Sequence, residues 1–305
     1  MAGLSTLVVV AVAATPQLLG SHVGNAFERL DDARPQWLWA AGLLVVVTLA
    51  AWAQAWRSVI RSCGGEVGRV DAVARYAIGS AVNTLAPARL GDVVRIALFA
   101  RKLEHPERAW TSAGAYTTIG AARALVVALL LLAGYAAGVL PLWPLGVAAG
   151  CVTITVAVAA LARRRNPHTR VAHFFDAYRE LGRRPSQAAP LLAWMILSTA
   201  ARVGAVAAIV SSLGVHRSLG AALLIIPAID AASLLPLTPG NIGVASGAVV
   251  VALHGYGIGA QEALTISLGL HAVEAVVAVI CGAVGVLVVA GERPRSAKPA
   301  VVDLA

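Results

Sequence analysis

Four long apolar blocks, Leu38–Ala55, Leu125–Val139, Leu145–Ala162 and Val276–Ala290, constrain this chain more than any other feature. With their flanks they reach the ~20 mostly apolar residues that cross a bilayer as a helix. A soluble core could hide one such helix but not six, and six spans are expected, over 4–23, 37–59, 109–136, 142–162, 190–213 and 261–290. Composition agrees: 13% of the 305 residues are charged, against about 25% in a soluble domain, and the mean hydropathy is +0.79. Met1–Pro16 resembles a secretory leader at Ala11-Val12-Ala13. It has no charged n-region, so it is read as part of the first span.

Two pairs of shorter segments interrupt the spans, 71–85 with 91–101 and 218–235 with 243–255. Each pair breaks at proline, the first over Leu85-Ala86-Pro87-Ala88-Arg89-Leu90-Gly91 and the second over Leu237-Thr238-Pro239-Gly240-Asn241-Ile242-Gly243. Pro87 and Pro239 lie 152 residues apart, about half the chain, so an internal duplication is expected. Each half holds three full spans plus a pair that adds an even number of crossings, and the second half must therefore enter from the opposite face. The expected fold is an all-α polytopic membrane protein with an inverted-topology repeat, six full spans and two proline-broken helical hairpins. It forms one membrane domain over 1–305, with repeat 1 over about 1–140, repeat 2 over about 141–291 and a tail over 292–305.

Charge follows this layout. The formal net charge of +9 would suggest nucleic acid in a soluble protein. Here 17 Lys and Arg residues fall on one side of the predicted layout and only Arg29, Arg34 and Arg217 on the other. The positive-inside rule then puts both termini in the cytoplasm and the protein in the plasma (inner) membrane, with no nucleic-acid partner. Trp37, Trp39, Trp56, Trp110, Trp143 and Trp194 fall near predicted span ends, as an interfacial belt. In the 163–189 loop, Asn166-Pro167 can start a helix, with Val171, Phe174, Phe175, Tyr178 and Leu181 on one apolar face. Such a helix either lies on the inner membrane surface or packs on the bundle. Cys63, Cys151 and Cys281 show no pairing or metal spacing.

Arg89, Arg95, Arg123 and Arg202 fall inside membrane segments with Asp92, Asp230, Glu274, His254 and His271. A charge at mid-bilayer costs about 2.5–3.5 kcal/mol on insertion scales, so such residues face a cavity or pair with one another. Pairing of Arg123 with Glu274 is the bland reading, and Asp92 capping its own helix is another. Four arginines outnumber three carboxylates, and the surplus suits an anionic group such as phosphate, which arginine can hold bidentately. The broken helices restarting at Gly91 and Gly243 would aim positive dipole ends at mid-membrane. His271 near Glu274 is read as a helix-surface hydrogen bond or a proton relay. The spacings Gly134–Gly138, Gly146–Gly150 and Gly243–Gly247 suggest close helix packing. No nucleophile elbow, zinc motif or phosphate-binding P-loop is present. The chain is expected not to be an enzyme and to need no cofactor or metal.

Asn83-Thr84-Leu85-Ala86-Pro87-Ala88-Arg89-Leu90-Gly91-Asp92-Val93-Val94-Arg95 resembles the N-x-x-x-P-x-R-x-G-[D/E]-x-x-R signature of the flippase-like membrane domain of lysylphosphatidylglycerol synthases and its stand-alone relatives. Pro236-Leu237-Thr238-Pro239-Gly240-Asn241-Ile242-Gly243 resembles the family's second signature, P-x-T-P-G-x-x-G, and Trp56-Arg57 and Trp194 sit where the family tends to place such residues. Departures from the pattern are Val244-Ala245-Ser246, where an acid is usual, Thr118 to Arg123 in place of an acid-rich stretch, and His271, where arginine is often seen.

The resemblance implies a lipid-translocating membrane domain. The leading expectation is a translocator of an anionic, amino-acylated or polyprenyl-phosphate lipid. Arg89, Arg95, Arg123 and Arg202 would engage phosphate, with Asp92, Asp230, Glu274 and His271 balancing charge. Asn83, Pro87 and Gly91 would form one gate, and Pro236, Pro239, Gly240 and Gly243 the other. The alternative is a module that holds lipid, or docks a separately encoded synthetase or glycosyltransferase, without transporting. About 15 residues follow the last span, so no synthetase is expected in this chain.

The layout predicts that single cysteines at Ser186 and Gly138, in a cysteine-free background, label from inside and outside respectively. Labelling of both from one face would sink the inverted repeat.

Overall fold

The computed structural model describes residues 34–291 except 87–88, 105, 143, 147–148, 151–172 (apart from 153, 157 and 160), 184, 216–217 and 233–241. The elements in chain order are α1 (Pro35–Ser62), α2 (Arg69–Leu85), α3 (Leu90–Ala100), α4 (Arg108–Ala136), α5 (Asp176–Arg183), α6 (Pro185–Ser212), α7 (Ser218–Ala232), α8 (Ile242–His254) and α9 (Ala260–Ala290). No strand occurs among the described residues. Four helices, α1, α4, α6 and α9, are long and apolar enough to cross a membrane, and they carry the expected spans 37–59, 109–136, 190–213 and 261–290. The first expected span, and more than half of 142–162, lie outside the described residues.

Local sequence explains the helix boundaries. Pro35 opens α1, where its missing N–H costs nothing. Ala86, just before Pro87, has φ −111° and ψ 145°, the extended conformation that a following proline imposes, so α2 stops there. Arg89 adopts the left-handed conformation with φ 55°, and α3 restarts at once.

With 17 and 11 residues, α2 and α3 rise only about 25 and 16 Å, short of the ~30 Å hydrocarbon core. They fold back antiparallel: Gly79 lies against Gly91 and the Arg75 side chain reaches the Leu98 carbonyl. Gly79 and Gly91 make the crossing possible, because a Cβ on Gly91 would strike the Gly79 carbonyl oxygen. The second pair also doubles back, with Gly220 at the start of α7 touching the Tyr256 hydroxyl just past α8.

Two apolar cores stack along the long helices. One gathers Ala41, Val127, Val206, Leu224, Val249 and Leu270. The other gathers Trp56, Ile60, Phe99, Ile119, Met195 and Ala177. Along α4, Arg123 falls between Ile119 of the second core and Val127 of the first. Along α6, Arg202 falls between Met195 and Val206. The charged residues therefore occupy a waist between two greasy layers.

Several expectations change. Trp56 is fully buried and stacks on Phe99 at 4.6 Å between ring centroids, so it is a core residue, whereas Trp37, Trp39 and Trp110 are exposed as a belt requires. Arg75, counted above among inner-face basic residues, is buried and paired with Asp71, which also binds Lys102 at 2.9 Å. The helix of the 163–189 loop packs on the bundle where it is described: Ala177 is fully buried, and Gly114 of α4 lies against the Phe174 backbone.

The expected glycine spacings do not make the close crossings. A Cβ on Gly138, Gly146, Gly150 or Gly247 meets nothing within 4 Å, and one on Gly134 meets only leucine side chains. The tight approaches of α9 to α2 are at Gly282, against Ala81 and Ala77, and at Gly285, where a Cβ would lie 2.6 Å from the Ala74 carbonyl oxygen. Close packing requires a small residue on the facing helix as well, and α2 supplies those alanines. Gly138 also holds φ 68°, which a cysteine would strain, so exposed Val139 is the better outer labelling position.

Gly285→Val should therefore drive α9 off α2 and lower stability by about 1–3 kcal/mol, whereas Gly247→Ala should be neutral or mildly stabilising. Thermal melts in detergent check both.

Candidate functional site

The first signature folds into a latch across the break between α2 and α3. The Asn83 amide donates to Asp92 Oδ1 at 2.9 Å, and Arg95 Nη1 donates to the same oxygen at 2.7 Å. Tyr116 of α4 donates its hydroxyl to Asp92 Oδ2 at 3.0 Å. Arg95 Nη2 reaches Ser80 Oγ at 3.1 Å, and its guanidinium lies 4.0 Å from the Tyr76 ring centroid. Asp92 thus ties both legs of the hairpin to α4, and α3 has no side-chain cap, so the capping reading gives way. Arg95 is 6% exposed and already engaged on both terminal nitrogens. Arg89 differs: among the described residues nothing hydrogen-bonds to or ion-pairs with its guanidinium.

A second cluster takes one charge from each of four helices. Arg123 of α4 meets Asp230 Oδ1 of α7 at 2.7 Å. Arg202 of α6 shares that oxygen at 3.3 Å and faces Glu274 Oε1 of α9 across 3.8 Å from Nε. Arg123 therefore pairs with Asp230, and Glu274 faces Arg202. The repeat offset between Arg123 and Glu274 constrains relative depth but does not make the two residues lateral neighbours. His271 bonds the Ser267 carbonyl within α9 at 2.7 Å, and His254 is exposed at the end of α8. Gly243 lies in the first turn of α8. Pro87, Pro236, Pro239 and Gly240 lie outside the described residues.

Two aromatic rings that sequence reasoning passed over join the clusters. Trp52 stacks on Tyr76 with centroids 6.1 Å apart, and the Arg123 guanidinium lies 5.4 Å from the Trp52 ring centroid. The series Asp92, Arg95, Tyr76, Trp52, Arg123, Asp230, Arg202, Glu274 runs without interruption from the hairpin to α9. Aromatic residues make up only 5% of the chain. A Trp and a Tyr far from segment ends were the available signal for Trp52 and Tyr76.

Charge accounting narrows the candidates. Arg95 and Asp92 neutralise each other, as do Arg123 and Arg202 with Asp230 and Glu274. The surplus cation among the four arginines is Arg89. A double-mutant cycle of Arg123→Leu with Asp230→Leu should show coupling of about 1–3 kcal/mol in detergent melts, and Arg123→Leu with Glu274→Leu much less. Equal coupling in the two cycles would count against the observed pairing.

The chain matches no curated protein and no solved structure. The family model described as "Lysylphosphatidylglycerol synthase TM region" matches residues 1–282, a stretch that contains the hairpin latch and the whole four-helix charge cluster. This multi-pass helical protein belongs to the lysylphosphatidylglycerol synthase transmembrane-region family.

Proposed function

We propose that the protein translocates phosphate-bearing membrane lipids, receiving the head group at the broken hairpin and passing it along the polar waist between the two apolar cores. The observation that carries this reading is Arg89, a cation paired with no acid among the described residues and held in a left-handed conformation at a helix break within the membrane. Backbone freed at such a break is tolerated only where protein or a water-filled cavity receives it, so Arg89 stands where a polar ligand can reach it. Four partly open charged side chains in the waist continue the path, because a charge facing hydrocarbon would be strongly disfavoured.

Packing supports the inverted repeat within this reading. In each half the second span packs on the first leg of the following hairpin, α1 on α2 and α6 on α7, the two legs pack together, and the second leg meets the last span. Among the described helices the two second spans, α1 and α6, share the most extensive interface, as symmetry mates beside a pseudo-two-fold axis do. The predicted layout puts 17 basic residues on one side, 16 of them besides the buried Arg75. That bias favours both termini and the α1–α2 turn on the cytoplasmic side of the plasma membrane, with the hairpin entering from that side and Arg89 at its far end. The lipid is anionic, amino-acylated or a polyprenyl phosphate.

A second reading, a docking module for a separately encoded lipid synthetase or glycosyltransferase, draws on one feature. A cleft of about 410 Å³, lined by Cys63, Thr111, Asp176, Arg179, Glu180 and Arg183 among others, opens at the end of α1. A partner could seat there. Scrambling or flipping of labelled lipid by the reconstituted chain alone separates the two readings.

Arg89→Gly gives the sharpest test. Glycine relieves a left-handed strain of about 1–2 kcal/mol and loses about 0.5–1 kcal/mol in chain entropy, so the variant should melt no lower than the parent. Its lipid transport should fall at least tenfold, and Arg89→Lys should restore little, since a single ammonium cannot supply the bidentate fork. Transport undiminished in Arg89→Gly would remove Arg89 from the path.

A further inference from the structure

Arg202 is held on one edge only. Its Nη1 is 3.3 Å from Asp230 Oδ1, an oxygen that Arg123 already occupies more closely at 2.7 Å. Its Nε is buried and makes no hydrogen bond. The nearest acid on that edge is Glu274, whose Oε1 stands 3.8 Å away, too far for a hydrogen bond. The Nε–Nη2 edge of a guanidinium is a flat fork of two parallel donors and matches two oxygens of a phosphate. Here that edge is left without an acceptor among the described residues. Buried charged donors are ordinarily satisfied, so an open fork at the centre of the bundle calls for an explanation.

Glu274 supplies it. Its side chain is the most open of the four, 34% against 17% for Arg202, and within a membrane span that opening leads to a ligand path or water, not to lipid tails. Asp230 contacts both arginines independently of Glu274. Among the described residues, Arg202 of α6 faces Glu274, Asp230 of α7 and Arg123 of α4 lie beyond it, Tyr76 of α2 acts electrostatically on both arginines, and His271 is bonded within α9.

We propose that Glu274 is an internal stand-in for a phosphate group: an incoming phosphate displaces its carboxylate and takes the Nε–Nη2 fork of Arg202. The loose contact then serves as a placeholder, weak enough to yield to a phosphate bound through two hydrogen bonds. It also keeps the Arg202 charge countered while the site is empty. Arg89 would make first contact and Arg202 the central station. The phosphate's being carried by a lipid rests on the translocation reading above, whereas the site itself does not.

The test uses the full chain in detergent, with half-saturation read from ligand-induced shifts in melting. The probes are dioctanoyl phosphatidic acid, inorganic phosphate and, as a phosphate-free control, dioctanoylglycerol. Glu274→Gln removes the competing charge and should tighten phosphatidic acid about tenfold, the order of a charge–charge attraction at this separation. Glu274→Asp withdraws the carboxylate by one methylene and should give a smaller gain of the same sign, which keeps the test valid if the glutamine variant folds poorly. Arg202→Lys should weaken binding about tenfold, and in that background Glu274→Gln should give no gain.

Binding unchanged or weakened in both Glu274 variants, or a full gain retained with Lys at 202, would overturn the proposal, as would equal gains for dioctanoylglycerol. Gains for inorganic phosphate equal to those for the lipid would support the site and name the free anion as its ligand. Gains for the lipid alone would support it and name the head group. If binding shifts as stated but the parent chain moves no lipid, the translocation reading fails and the phosphate site stands. If lipid moves and binding does not shift, the reverse holds.

Discussion

A single carboxylate oxygen, Asp230 Oδ1, accepts two arginines that arrive on different helices, Arg123 at 2.7 Å and Arg202 at 3.3 Å. Much of the centre of the molecule depends on that arrangement. Uncompensated charges are expensive in hydrocarbon and in a low-dielectric protein interior, so α4, α6 and α7 must stay close enough for their side chains to meet. The apolar layers above and below, one around Leu224 and Leu270 and the other around Trp56 and Met195, then pack about a waist whose geometry electrostatics has restricted. Burial in those layers provides bulk cohesion but little direction, whereas the shared oxygen specifies which helices face one another.

The hairpin applies the same physics at a smaller scale. Gly79 and Gly91 let two backbones touch, and Asp92 gathers donors from Asn83, Arg95 and Tyr116. The family signature is therefore mostly a fastening. Its asparagine, glycine, acid and last arginine hold the break closed, while Ala86 takes the extended conformation that its proline demands. Among the signature's charged residues, Arg89 alone has no hydrogen-bond or ion-pair partner among the described residues.

Between the latch and the waist, Tyr76 and Trp52 carry the contact. Arginine over an aromatic face gains cation–π attraction when desolvated, and here Arg95 lies on one ring and Arg123 on the next. A displacement of the hairpin would disturb Tyr76, its stacking on Trp52 and then the pairing of Arg123 with Asp230. The two polar regions are mechanically joined through stacked rings as well as through the backbone.

Sequence by itself determined that the chain lives in a membrane, because apolar runs of this length have no other stable home. It also located the helical spans that the structure describes, the break after Leu85 and the charged residues inside the spans, since proline geometry and the cost of a charge in lipid are local properties legible from residue type. Tertiary structure decided everything that depends on which helix faces which. Arg123 pairs with Asp230 and not Glu274, because offset along a repeat constrains depth but leaves lateral neighbours open. Trp56 is core and not belt, because distance from a span end says nothing about whether α3 and α4 cover that face. The close approaches of α2 to α3 and to α9 fall at Gly79, Gly91, Gly282 and Gly285 and not at the spaced glycine pairs, because a glycine allows two backbones to meet only where a neighbouring helix lies against it. Arg202's open fork was hidden for the same reason: it arises from the relative positions of four helices, and no one of their sequences contains it.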